Sequence, residues 1–232
     1  MPRFEILNIE ILLIRHGETE FNRAGKIQGS MDSPLTDRGR MESELLGRSL
    51  DQWLESPQVW MVSPQGRARE SSRLVRAGLI RTPGLPVEEI VESVHEIRCG
   101  EYEGRVIAEL DSVTLQRLRT DPAFPYPGGE SIVDVMQRGK ALMERILEKA
   151  GSGVDGNGTF RAVVVSHGNF IRAFAALASG LGPNFAMRSF LSNTGLSRLL
   201  SANGGESFKI LTWNDISHAH GLEAQFTNLG TG

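Results

Sequence analysis

The stretch Ile9-Glu10-Ile11-Leu12-Leu13-Ile14-Arg15-His16-Gly17-Glu18-Thr19 decides the fold. An apolar run, Ile9 to Ile14, stops abruptly at Arg15-His16-Gly17. A short apolar run that ends at glycine reads as a buried strand running into a loop. An imidazole and a guanidinium therefore stand just past a strand end, beside backbone that Gly17 lets bend. The same form recurs at Val163-Val164-Val165-Ser166-His167-Gly168-Asn169. Open α/β sheets place their ligand sites outside the carboxyl ends of their strands. Two strand-end His-Gly pairs in one chain thus point to a site.

Working outward, Pro34-Leu35-Thr36-Asp37-Arg38-Gly39 opens a helix with Thr36 as N-cap, expected to reach about Leu54. Leu45, Leu46, Leu50 and Trp53 form its apolar face. Val59-Trp60-Met61-Val62 is a second buried strand, followed through Ser63-Pro64-Gln65-Gly66 by a helix that starts at Arg67. Val87–Ile90 is a short strand. Gly100 to Pro127 is the least regular region, with a helix expected near Ala108–Leu118. Ser131 opens a long helix expected to end in a Gly151-Ser152-Gly153 surface loop. The strand Ala162–Val165, a helix from Asn169 to Leu181, and strands Gly195–Ser201 and Ser207–Trp213 complete the order. Alternating strands and helices predict an α/β three-layer sandwich: a mainly parallel sheet with an antiparallel edge and helices on both faces. The reading is of one domain over residues 1–232, with a pocket-covering insertion at about 100–130.

The chain has 232 residues, long enough to bury a sizeable core, and a net charge of -3. That balance gives no electrostatic case for nucleic acid or an anionic membrane. The single cysteine, Cys99, allows no internal disulfide and fits a reducing compartment. The N-terminus lacks the apolar core of a signal peptide, and no stretch is long and apolar enough to span a bilayer. The expected location is cytoplasmic. Arginine greatly outnumbers lysine, and its planar fork suits phosphate, although base composition explains most of these residues.

If the strands are parallel, Arg15-His16, Arg67 and His167 converge on one sheet edge. Imidazole and guanidinium groups gathered there make an anion site without metal. His218 and His220 form an H-x-H pair, but no matched set of three or four ligands accompanies it, so no metal is assigned.

Arg15-His16-Gly17-Glu18-Thr19-Glu20-Phe21-Asn22 resembles the signature of the histidine phosphatase superfamily, the phosphoglycerate mutase-like family. The resemblance continues through Gln28-Gly29 to Thr36, and resumes at Ser63–Ala68, Glu96, Gly100, Glu103-Gly104, Pro127–Ser131 and Ser166-His167-Gly168, in the family's order. It implies that His16 is a nucleophile forming a phosphohistidine, which splits one transfer into two. Arg15 and Arg67 would hold phosphoryl oxygens, and Asn22 would donate to them. His167 would bind a phosphoryl oxygen as a cation. Glu96 would be the general acid, shielded from water beside the phosphate so that it carries a proton at neutral pH. Gln28 and Gly29 align with positions that face the transferred group. The chain departs from the pattern at Gln65, usually Leu, at Ser71, usually Thr, and at Cys99, often aromatic. The first two departures put local packing in question; Cys99 would shape the pocket.

The resemblance implies a cofactor-independent phosphatase acting on small phosphomonoesters. The Lys26–Thr36 loop and Pro-Gly-Gly-Glu-Ser segment look more like the phosphatase branch. The alternative is a phosphoglycerate mutase or a fructose-2,6-bisphosphatase-like sugar-phosphate enzyme. The expected partner is a small phosphorylated metabolite, without nucleic acid or membrane, and the resemblance is compatible with a homodimer.

Overall fold

A computed structural model describes residues 8–153 and 158–220. Six strands form one sheet in the order β3-β2-β4-β1-β5-β6. They are β1 (Asn8–Arg15), β2 (Val59–Val62), β3 (Glu88–Ile90), β4 (Thr159–Ser166), β5 (Leu196–Ser201) and β6 (Lys209–Asp215). The β1–β4, β2–β4 and β2–β3 pairs are parallel; β5 runs antiparallel to β1 and to β6. The sheet is therefore mainly parallel with an antiparallel edge.

Side-chain alternation along the central strands builds two cores. Ile9, Ile11 and Leu13 of β1 and Ala162 and Val164 of β4 face a core shared with Phe170 and Phe174 of α6 (Gly168–Ala178) and Val135, Leu142 and Ile146 of α5 (Ile132–Gly153). Leu12, Ile14, Trp60, Val62, Val163 and Val165 face the other, filled by Leu46 and Leu50 of α2 (Asp37–Leu50) and Ala68 and Val75 of α3 (Gly66–Gly78). Three layers result because both sheet faces are apolar. Two short helices, α1 (Glu20–Arg23) and α7 (Pro183–Arg188), and the isolated α4 (Ser112–Thr120) complete the set.

The boundaries differ from expectation at four helices, each for a visible reason. α2 stops at Leu50 because the Asp51 carboxylate turns to accept from the backbone of Arg81 and Thr82. Trp53 is consequently exposed, lying under Arg198, and Leu45 is only half-buried. α4 begins at Ser112 rather than near Ala108 because Asp111 caps it, accepting from Thr114 N at 2.7 Å. A separate 3-10 turn holds Ile107–Glu109. α5 continues through Gly151-Ser152-Gly153, which form its last turn instead of a loop. α6 ends at Ala178, short of Leu181, where Gly180 and Gly182 adopt left-handed φ of 69° and 71°. Thr36 caps α2 as expected, accepting from Gly39 N at 3.0 Å.

Among the described residues, no helix is long and apolar enough to cross a membrane.

Candidate active site

Parallel register brings the strand ends level. Arg15 pairs with Ser166 and Val62 with Val165, so the next residues, His16, Ser63 and His167, stand side by side. His16 N donates to Ser166 O at 3.0 Å and Ser63 N to Val165 O at 3.0 Å. The two imidazole centroids are 5.2 Å apart.

The local chemistry of His16 leaves one nitrogen open. Nδ1 lies 2.8 Å from the Gly17 carbonyl, which can only accept. Nδ1 therefore carries the proton and Nε2 holds the lone pair. Burial, with Arg67 and Arg15 adding repulsion, holds His16 well below the usual histidine range, so the ring is neutral. Gly17 is required by packing: a Cβ there would lie 2.4 Å from Gly39 O at the start of α2. Gly17 N donates to Ser71 Oγ at 2.9 Å, and Ser71 Oγ donates to Arg67 O at 2.7 Å. The serine at this departure from the family pattern thus ties the two junctions together.

His167 presents the opposite nitrogen. Its Nε2 sits 2.7 Å from Ser63 Oγ, and its buried Nδ1 makes no hydrogen bond within the described protein. Burial, followed by Arg67, His16, Arg138 and Arg15, pushes His167 well below the usual histidine range. Desolvation among arginines thus opposes the cationic form expected of this ring.

Arg15 donates Nη1 to Leu191 O, and its buried Nε is unpartnered. Desolvation lowers its pKa to about 10, opposed by the nearby Glu96. Arg67 is almost fully buried at the start of α3. Its Nη1 donates to Met31 O at 2.7 Å and Asp32 Oδ1 at 3.2 Å, its Nη2 to Gly29 O at 3.0 Å, and its buried Nε is also unpartnered. A buried donor left without a partner costs about 1–3 kcal/mol. Arg15, Arg67 and His167 each carry one such unpartnered nitrogen among the described residues.

Asn22 lines the same pocket. Its Oδ1 accepts from Thr19 N at 3.2 Å, Thr19 Oγ1 at 3.1 Å and Asn193 Nδ2 at 3.2 Å. The amide orientation is fixed by that network, which leaves Nδ2 as the group available to a ligand. Gln28 is buried, and its Oε1 is unpartnered. Gly29 has a left-handed φ of 55°, and a Cβ there would strike the Glu103 carboxylate. Its carbonyl is taken by Arg67 and by Gln65 Nε2 at 2.8 Å. Glu96 is buried, its carboxylate reached by Ile97 N at 2.8 Å and by Asn169 N and Phe170 N at 3.3 Å, at the N-terminus of α6. The structure brings His16, Arg15, Asn22, Gln28, Gly29, Arg67 and Glu96 onto one pocket of about 370 Å³; His167 packs against His16 and is fully buried.

Ile107, Leu110, Leu115, Leu118 and Phe124 of the segment after Gly100 line this pocket, as do Met187, Phe190 and Leu191. Cys99 is buried in the lining. Burial, with Glu96 and Glu103, pushes its thiol up, so it shapes the pocket as a protonated group. His218 is tied to Thr194 Oγ1 at 3.0 Å and pushed down to about 4 by burial. Among the described residues, no group of three His, Cys, Asp or Glu side chains is placed to share a metal ion.

The sequence reading missed several contributors. Asn193 Nδ2 and Thr194 N donate to His16 O at 3.1 and 3.2 Å, holding the His16 backbone from the loop before β5. Thr194 there has a φ of 53°, and the Asn-Thr-Gly sequence was the available turn signal. Arg172 lines the pocket with an unpartnered Nε, its other nitrogens held by Ser189 O and Asn169 Oδ1. Its i,i+3 spacing from Asn169 on α6 was readable once that helix was placed.

The site belongs to an α/β protein whose mainly parallel sheet holds two neighbouring imidazoles at its strand ends, beside two buried arginines. The chain belongs to the histidine phosphatase superfamily (branch 1), whose sequence model matches residues 11–216. It is 30% identical to an acid phosphatase of Mycobacterium tuberculosis, over 78% of this chain and 83% of that protein. It is 28% identical to phosphoglycerate mutase-like protein 4 of Arabidopsis thaliana, over 96% of this chain and 91% of that protein. The fold also matches the solved structure of mycobacterial hydrolase 1, with a TM-score of 0.80 at 24% identity, covering 90% of this chain and 99% of that one.

Proposed function

We propose that this protein is a phosphatase that hydrolyses small phosphomonoesters through a phosphohistidine on His16. The observation that carries the reading is the set of buried, unpartnered donors on Arg15, Arg67 and His167 beside an imidazole whose open nitrogen bears a lone pair. The phosphoryl oxygens take those donors and Asn22 Nδ2, with Gln28 and Gly29 closing the side of the cradle. His16 Nε2 attacks phosphorus, and the bond to the ester oxygen breaks. Glu96 delivers a proton to that oxygen, so the alcohol leaves neutral. The Gly17 carbonyl holds the Nδ1 proton while the phosphorylated ring carries positive charge. Water then attacks phosphorus, Glu96 takes its proton, and the N–P bond breaks to give inorganic phosphate and neutral His16. The guanidinium and imidazole groups supply the charge stabilisation, so no step calls for a metal ion.

The similarity to a phosphoglycerate mutase-like protein supports a second reading, in which the phosphoryl group returns to a sugar-acid hydroxyl. Product analysis with 3-phosphoglycerate and p-nitrophenyl phosphate, run in EDTA, separates the two. Hydrolysis is expected to release inorganic phosphate from both substrates without loss of rate. Rapid exchange between 2- and 3-phosphoglycerate with little phosphate released would overturn the phosphatase reading.

A further inference from the structure

Gln65 stands where the sequence departs from the family pattern, and its side chain makes two contacts that a Leu could not. Its Oε1 accepts from the Glu96 backbone N–H at 2.8 Å, and its Nε2 donates to Gly29 O at 2.8 Å. Gly29 O is the same carbonyl that Arg67 Nη2 grips at 3.0 Å. One amide therefore joins the segment that carries Glu96 to the Gln28-Gly29 loop and to the start of α3.

The far side of the Glu96 peptide is held as well. Its carbonyl accepts from Arg138 Nη2 at 3.1 Å, and His95 Nδ1 lies 2.6 Å away. Glu96 belongs to neither a strand nor a helix. Its peptide position thus depends on side chains from other elements, and Gln65 is the one that links it to the phosphate cradle.

We propose that Gln65 is a positioning residue that fixes the Glu96 carboxyl relative to the phosphate loop, and so governs proton delivery to the leaving oxygen. The proposal rests on the reading of Glu96 as the general acid. Proton donation matters most when the leaving alcohol is strongly basic and least when it departs readily as a phenolate. Loss of positioning therefore acts selectively, whereas a merely structural role would lower all rates together.

The test is kcat/KM of the whole enzyme across aryl and alkyl phosphates of graded leaving-group basicity. Gln65→Leu is expected to lose about tenfold on an alkyl phosphate, the scale of one hydrogen bond, and to stay within about twofold on p-nitrophenyl phosphate. Glu96→Gln is expected to show the same selectivity with a larger loss, about a hundredfold. Gln65→Glu keeps an acceptor for the Glu96 N–H but loses the donor to Gly29 O, and is expected to show the same selective loss as Leu. Gln65→Met, which keeps the side-chain length without its polar atoms, carries the same expectation as Leu if the Leu variant does not fold. A uniform loss across the series in Gln65→Leu, or no loss at all, overturns the proposal while Glu96→Gln remains selective. A Glu96→Gln variant without selectivity would instead overturn the reading of Glu96 on which it rests.

Discussion

The two strand-end histidine junctions share a sequence form and differ in which nitrogen they leave open. At the end of β1, the His16 ring turns Nδ1 onto its neighbour's carbonyl and frees Nε2. At the end of β4, the His167 ring turns Nε2 onto the Ser63 hydroxyl and leaves Nδ1 unpartnered. A carbonyl only accepts, so it fixes a lone pair on the open nitrogen of His16. A hydroxyl can donate, so it lets the open nitrogen of His167 carry the proton. Local strand-loop sequence sets where an imidazole sits; its hydrogen-bond partner sets whether its open nitrogen holds a lone pair or a proton.

The sharpest way to break this comparison is to remove each ring in turn. His16→Ala is expected to lose about a thousandfold or more in kcat and to trap no labelled phosphohistidine. His167→Ala is expected to lose about a hundredfold, as for a missing oxyanion donor, and still to yield the labelled intermediate after an alkaline quench. Label retained in His16→Ala but lost in His167→Ala would exchange the two roles.

The comparison also has a pH signature, because the two rings share their response to burial. Both are held well below the ordinary histidine range, whereas the unfolded chain titrates near about 6.5. Between the depressed folded values and 6.5 the unfolded state binds more protons, so stability is full above about 6.5 and falls as pH drops below it. Melting temperature is expected to decline from pH 7 to 5, and less steeply in His167→Gln. An identical pH slope in that variant would show that His167 does not contribute.

The smallest expected effect is at the hydroxyl that distinguishes the junctions. Ser63→Ala removes the partner of His167 Nε2 and is expected to cost about 1 kcal/mol of transition-state stabilisation, about fivefold in kcat/KM. Its inhibition constant for vanadate, compared with the parent protein, checks whether the loss falls on the oxyanion contacts. Unchanged vanadate affinity together with unchanged kcat/KM would remove Ser63 from the account.

Much of this was legible because it is local. The apolar runs of β1, β2 and β4, the glycines that end β1 and open α6, and the Thr36 cap are set by neighbours a few residues away. Helix limits were read less well where a side chain bonded to a distant segment, as Asp51 does with Arg81 and Thr82. Asp111 was a readable cap whose signal was lost inside an apolar pattern running across it. Asn193, Arg172 and the two amide contacts of Gln65 could not be read with their roles, because each acts on a residue far along the chain.

The sequence by itself determined the layers, the mainly parallel sheet and the residues gathered at its edge, since periodicity and strand order follow from short-range chemistry and from burial of two apolar faces. Only the tertiary structure decided the protonation of His16 and His167, the outward amide of Asn22 and the peptide position of Glu96. Those properties depend on desolvation and, beyond the local Gly17 and Thr19 contacts, on hydrogen-bond partners from other elements, which come together only once the chain has packed.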